Sequence, residues 1–303
     1  MTNAVNLASA AGTGFTLRNR IINGGFDVWQ RGISGFSTST GTYTADRWRN
    51  DQTITVVQSS DVPNVNSRFS LDVTQGSTSY GTFVQRIEVA NCFDLVGKQV
   101  TLSFWAKSIS GSVPMNVLLR YAGSSDNFTS PVNIQAIGST ITTSWAYYTF
   151  TFNALPSQVA NGLEVCIYRD LGSAQTRYSQ IQLEVGSVAT PFERRPYGLE
   201  LALCQRYCEL ASSAPGRAYS GTAAEFHMTY KVTKRAAPTI AINPNGQSNV
   251  HQPGVINTSA SFQYSFAVNE THGSFGLNNM SGLVSGSYCG ANGLNMFLVT
   301  SEL

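Results

Sequence analysis

Charge is scarce in this chain. Of 303 residues only 12% are Asp, Glu, Lys or Arg, about half the usual share for a globular protein. Nineteen basic and 17 acidic residues leave a formal net charge of +2. That balance supplies no polycationic face for nucleic acid or an anionic membrane. The short pairs Arg194-Arg195 and Lys234-Arg235 read as ordinary solvated positions. Long apolar runs are missing too, so no membrane-spanning helix is expected. Cysteine is present but unorganised. Cys92, Cys166, Cys204, Cys208 and Cys289 are odd in number and irregular in spacing. No disulfide framework follows, and reduced, buried thiols are expected, as in a chain that folds in a cytoplasm.

Catalytic and metal motifs are also lacking. There is no G-x-S-x-G elbow, zinc-protease helix motif or phosphate loop. Cys204 and Cys208 are one helical turn apart, but His227, His251 and His272 are scattered, and a zinc site needs four ligands. The acids Asp27, Asp46, Glu88, Asp94, Glu164 and Glu184 are numerous enough for a glycosidase pair, yet spacing along a chain does not pair them. The expectation is a protein that is not an enzyme, with no cofactor.

What the chain does contain is turns and alternation. Ser, Thr, Asn, Gln and Gly occupy the positions that charge leaves free, which suits an all-β fold. In "KQVTLSFWAKS" the residues Val100, Leu102, Phe104 and Ala106 share one face; "RFSLDVTQG" puts Phe69, Leu71 and Val73 on another. "YSQIQLEVG" aims Ile181, Leu183 and Val185 inward. Trp29, Trp48 and Trp145, near strand ends, read as core plugs. Many short strands between turn signals, with no helical crossovers, indicate a two-sheet sandwich or jelly roll.

The pattern breaks once. Over residues 196–213 Leu199, Leu203, Tyr207 and Leu210 recur at helical spacing, with Pro196 at the start. Strands then return, alternating at Phe226, Met228 and Tyr230 and again at Phe262, Tyr264 and Phe266. The expected fold class is all-β, with two β-sandwich or jelly-roll domains joined by one amphipathic helix. The expected bounds are an N-terminal arm (1–19), a first domain (20–195), the linker helix (196–213) and a second domain (214–303). The arm is small and polar, and such a segment orders by docking onto a partner. Val5, Leu7, Phe15 and Leu17 are its candidate docking residues.

Two aromatic residues stand on the polar side of their strands. Trp105 points opposite to Phe104, and Tyr147 points opposite to Tyr148, Phe150 and Phe152. Rings on an exposed sheet face can stack on sugars; the alternative is a face covered by another sheet, domain or subunit. "RNRIINGGFDVWQRG" places a glycine pair where the first strand enters, expected to turn tightly there.

"NRIINGGFDVWQRG" followed by "YTADRWR" resembles the opening of the carbohydrate-binding-module-like jelly rolls of bacteriophage tail fibre and other virion proteins. "VTLSFWAKS", "QIQLEVGSVATPFERRPYGLELALCQRY", "YKVTKRAAPTI" and the final "SEL" resemble further landmarks of those proteins, in the same order. The resemblance implies a non-enzymatic structural component of a phage particle, a homotrimeric short tail fibre or spike that contacts host surface glycan. It equally admits a capsid decoration protein; a glycan-degrading enzyme is the reading from another class. The implied partners are further copies of the chain and other virion proteins reached through the arm, with no nucleic acid and no membrane insertion. The implied location is the virion, after synthesis in the host cytoplasm without a signal peptide. Related modules carry a structural calcium near the first strand. Asp27 is the matching position and Glu184 a stand-in for the second acid, and no metal is assigned on that basis.

Overall fold

The computed structural model describes residues 17–303 except 76–79, 170–173, 244–245, 247–248, 258–260 and 267. Two compact units are present. One holds the residues up to Asp27, Ile33–Thr44 and Trp48–Arg195; the other holds Val28–Gly32, Ala45–Arg47 and Pro196–Leu303. Val5, Leu7 and Phe15 lie outside the described residues, and Leu17 is exposed.

The first unit is a sandwich of two five-stranded antiparallel sheets. Its strands are β1 (Arg49–Asn50), β2 (Ile54–Ser59), β3 (Ser70–Gln75), β4 (Gly81–Ile87), β5 (Val100–Ser108), β6 (Val113–Tyr121), β7 (Val132–Ile141), β8 (Ala146–Phe152), β9 (Leu163–Arg169) and β10 (Ala174–Val185). One sheet runs β1-β4-β9-β6-β7 and the other β2-β3-β10-β5-β8. Alternation puts Val100, Leu102, Phe104 and Ala106 in the core at 0% exposure. A column of rings joins the sheets. Phe26 meets Trp48 and Trp48 meets Phe83, each at 5.5 Å between centroids. Phe83 meets Tyr178 at 4.9 Å, and Phe104 lies between Tyr178 and Phe150. Buried aromatic pairs of this kind add about 0.5–1.5 kcal/mol each beyond their area.

Some expected core positions differ. Val185 ends β10 and is exposed. Trp48 is fully buried, but Trp29 and Trp145 are only half-buried. The Trp145 indole donates to Asp61, 3.0 Å away, because an indole N–H needs a partner that an apolar core lacks.

The entry segment is held by side chains acting as backbone. Asn19 donates to the Ile181 carbonyl and accepts from the Leu183 N–H. Gln85 accepts from the Ile22 N–H and donates to its carbonyl, at 2.7 and 2.8 Å. Arg195 donates to the carbonyls of Asn19 and Ile21. Residues 18 and 19 thus belong to this unit's hydrogen-bond network; Glu193 accepts from both of their N–H groups. The glycine pair sits in the expected tight turn, closed by the Phe26 N–H donating to the Asn23 carbonyl at 3.2 Å, and the left-handed conformation falls on the flanking Asn23 and Phe26, both at φ 56°. Gly24 is needed for proximity: a Cβ there would lie inside the van der Waals envelope of the Ile181 carbonyl oxygen.

The second unit opens with the helix α1 (Tyr197–Gln205). It continues with β11 (Cys208–Ala218), β12 (Ala224–Thr229), β13 (Thr239–Ile242), β14 (Asn249–Gln252), β15 (Val255–Asn257), β16 (Ser261–Phe266), β17 (His272–Asn278) and β18 (Tyr288–Thr300). These strands form one near-barrel sheet in the order β15-β14-β18-β11-β12-β17-β16, with β13 also on β18, rather than two stacked sheets. Phe226, Phe275, Phe297, Ile240 and Val250 lie in its core.

The helix is shorter than its periodicity predicts. Residues from Cys208 onward pair with β18, Cys208 opposite Thr300. The open edge of a 13-residue strand outweighs a weak local helical preference. Cys204 and Cys208 are therefore on different elements, and both are buried. The basic pairs also depart from their expected solvation. Lys234 is fully buried against Glu209, 2.6 Å away, and Arg195 is buried while Arg194 stays exposed.

The segments from the early chain are tied down within this unit. Asp46 accepts from the Gln30 N–H at 2.9 Å, and the Gln30 amide donates to the Cys208 carbonyl at 2.6 Å. Burial pushes the Asp46 carboxyl above its usual range, against the opposing pull of Arg31. Arg31 and Arg47 both pair with Glu302, and the Arg47 guanidinium stacks on Tyr207 at 3.5 Å.

Two outcomes follow. Gly24→Ala lowers stability by about 3 kcal/mol, because the clash is with backbone. Gly198→Ala, with open space around it, is neutral or stabilises by up to about 1 kcal/mol; urea unfolding of both variants checks the contrast. All five thiols are free and buried, and desolvation pushes Cys92 up to about 12 and Cys289 to about 11. A thiol-reactive dye should label none of them rapidly in the folded protein and five after denaturation.

Candidate functional site

Trp105 and Tyr147 meet on the outer face of the second sheet of the sandwich. Strand alternation buries Phe104 and turns Trp105 outward. The register sets Trp105 opposite Tyr147 across β5 and β8, with ring centroids 5.5 Å apart and planes inclined by 49°. Tyr147 is 41% exposed. The pair lines an open cavity of about 440 Å³ with Asn66, Gln180, Ala189, Thr190, Pro191 and Phe192. Among the described residues no charged side chain is in that wall.

Gln180 reaches the cavity through a bulge. Ser179 pairs with Trp105, yet Gln182 rather than Ile181 pairs with Ser103. One extra residue is thus inserted opposite Phe104. Gln180 absorbs it at φ 55°, a conformation costly for a side chain other than glycine. Its amide nitrogen donates to Asn64 at 3.3 Å. Residues 189–192 form the opposite wall and are tethered to β10. Glu184 accepts from the Thr190 N–H at 2.8 Å and from its hydroxyl at 2.7 Å, and Gln182 accepts from the Glu193 N–H at 2.8 Å.

The same face carries a charged cluster two residues further along. Asp61 accepts from Lys107, Arg177 and Trp145. Burial raises its carboxyl, but those three hydrogen bonds outweigh it and hold the group below the usual carboxylate range. The Lys107 ammonium lies 5.6 Å from the Trp145 ring centroid.

Asp27 is not in the cavity wall. Its Oδ2 is 3.6 Å from the Arg194 guanidinium, while Oδ1 is buried with no hydrogen-bond partner among the described residues. Burial raises its carboxyl, with Arg194 and Arg68 pulling the other way. Calcium takes six to eight oxygens and usually more than one carboxylate. Glu184 is spent on Thr190 and Gln182, and no group of three or more His, Cys, Asp or Glu side chains converges among the described residues. The side chains present do not make the calcium site that the resemblance implies. The other acids are also in structural bonds: Asp94 with Arg20, Glu164 between Arg86 and Arg120, Glu88 with Asn91.

Residues 18–168 match the family model of a carbohydrate binding domain. This segment is a CBM4/9 carbohydrate-binding jelly roll. No curated protein sequence matches the chain. Among solved structures, the chain is similar to the enzymatically active domain of tailspike protein 4 of bacteriophage CBA120, at 17% identity and a TM-score of 0.40. That match covers 56% of this chain and 22% of the tailspike chain. It is similar as well to the second family 22 xylan-binding domain of Xyn10C from Paenibacillus barcinonensis, at 17% identity and a TM-score of 0.36, over 46% of this chain and 92% of that one. The C-terminal family 22 carbohydrate binding module of Clostridium thermocellum Xyn10B is similar at 16% identity and a TM-score of 0.38, over 53% and 98%.

The carbohydrate-binding jelly roll extends past the matched segment, since β10 supplies both the central pairing and Gln180. Gln180 escaped the sequence reading because nothing in "SQIQLEV" marks a bulge; a glycine at that position would have. Replacing it tests the strain. Gln180→Gly should raise the unfolding free energy by about 1 kcal/mol, read from urea midpoints, while removing an amide from the cavity wall.

Proposed function

We propose that this chain is a glycan-binding structural component of a phage particle, with the Trp105–Tyr147 cavity as its sugar-contact surface. One observation carries the binding part: a carbohydrate-binding jelly roll presents two splayed aromatic rings beside neutral amides and a hydroxyl in an open cavity. Rings supply flat apolar contact for the C–H face of a pyranose. Asn66, Gln180 and Thr190 supply donors and acceptors for its hydroxyls. Among the described residues no carboxylate lies in that wall, which favours holding a glycan over cleaving it.

The virion part is supported by the phage-protein landmarks in the sequence, which run beyond the jelly roll to the final "SEL". In this reading the chain is a short tail fibre or spike, trimeric with its own copies, and attached through residues that precede Arg18.

Trp105→Ala combined with Tyr147→Ala should lower glycan-array binding by about tenfold or more, since each stacked ring is worth about 1–2 kcal/mol, with an unchanged circular dichroism spectrum. Retained binding by the folded double variant would defeat the assignment. Deleting residues 1–16 should leave a folded protein that no longer incorporates into particles. Labelled particles separate the two virion positions: signal on the tail supports the fibre reading, and signal on the shell gives decoration instead.

A further inference from the structure

We propose that the second unit carries a separate site for an acidic saccharide, a sugar bearing a carboxylate, on the open face of its sheet. The site is a cavity of about 530 Å³ whose wall includes Ser213, His227, Thr229, Lys231, His272 and Ser274. It lies wholly within the second unit, beyond the segment that matches the carbohydrate binding domain.

Sheet geometry builds it. β12 and β17 pair with His227 opposite Ser274 and Thr229 opposite His272. The intervening Met228 and Gly273 are buried, so the four polar side chains share the outer face. Paired positions on one face are about 5 Å apart and diagonal ones about 7–8 Å, a spacing comparable to that between hydroxyls across a pyranose. The hydroxyls of Ser213 and Thr229 can each donate and accept, which suits a polyol, while the buried Ser274 hydroxyl serves His227.

The charge pattern selects the acid. Among the described residues the only carboxylate in the wall is Glu209, and it is spent. It accepts from the buried Lys234 ammonium at 2.6 Å and from the Lys231 N–H with both oxygens. The Lys231 ammonium is the cation left in the wall, positioned by donating to the Leu210 carbonyl at 2.8 Å. Two imidazoles add to it. His227 is oriented by a 2.6 Å hydrogen bond between its Nδ1 and the Ser274 hydroxyl, and its Nε2 has no hydrogen-bond partner among the described residues. His272 is held by Thr271 and Asn269 at 3.1 Å each. An ammonium, one free imidazole edge and two hydroxyls together match a carboxylate on a sugar ring.

The chain's three histidines make the test direct. In the full-length protein, imidazole resonances of His227 and His272 should shift saturably on titration with sodium galacturonate at constant pH. His251, which is outside that wall, should stay in place. Galactose and inorganic phosphate should leave all three unmoved. Lys231→Met should weaken galacturonate binding about tenfold, as expected for one charged hydrogen bond, and His227→Gln should remove the saturable response of His272. The Trp105→Ala, Tyr147→Ala variant should titrate as the parent does, so this proposal stands or falls apart from the first. No saturable shift with galacturonate, or equal shifts with galactose or phosphate, would overturn it.

Discussion

The contact between Gly24 and the Ile181 carbonyl is the constraint on which the first unit depends. The Ile181 N–H donates to the Gly24 carbonyl at 2.9 Å, and the carbonyl of the same residue occupies the space where a Cβ on residue 24 would go. That approach is possible because β10 bulges at residues 180 and 181. The bulge costs a left-handed Gln180, and the same distortion aims that side chain at the cavity. Entry segment, central strand and candidate site are therefore coupled at one point. Bulges beside binding sites re-aim side chains in this way.

Around that point, side chains replace missing ladder partners. Asn19, Gln85, Gln182, Glu184 and Arg195 are all buried, and each closes hydrogen bonds that neighbouring strands would otherwise supply. Burying polar atoms is tolerable only when they are paired. In the second unit several charged groups are likewise internal and matched: Glu209 with Lys234, Glu302 with Arg31 and Arg47. Breaking one partner of such a pair leaves an uncompensated buried charge, which costs far more than a surface pair is worth.

Much of this was legible in advance where one physical rule dominated. Strict alternation in β5 identified its core face and its outward Trp105. The same rule set Tyr147 against Tyr148, and the structure brings the two outward rings together. Legibility failed where two rules competed. Residues 208–213 carry a helical spacing, yet the edge of β18 takes them as a strand. Lys234 and Arg195 look like surface charges because their partners, Glu209 and the carbonyls of Asn19 and Ile21, are remote in sequence. Trp145 reads as a core plug until Asp61, 84 residues away, claims its N–H.

The amino-acid sequence by itself determined the all-β class, the alternation that chooses a core face for each strand, the free state of the thiols and the outward placement of the two rings. Those properties follow from periodicity and composition, which are local. Only the tertiary structure decided that Gln180 and the wall at residues 189–192 complete a cavity around the rings, that Glu184 serves the wall rather than a metal, and that His227, His272 and Lys231 share one face. Each of those depends on strand register and on a one-residue bulge, and a shift of one residue moves a side chain to the opposite face.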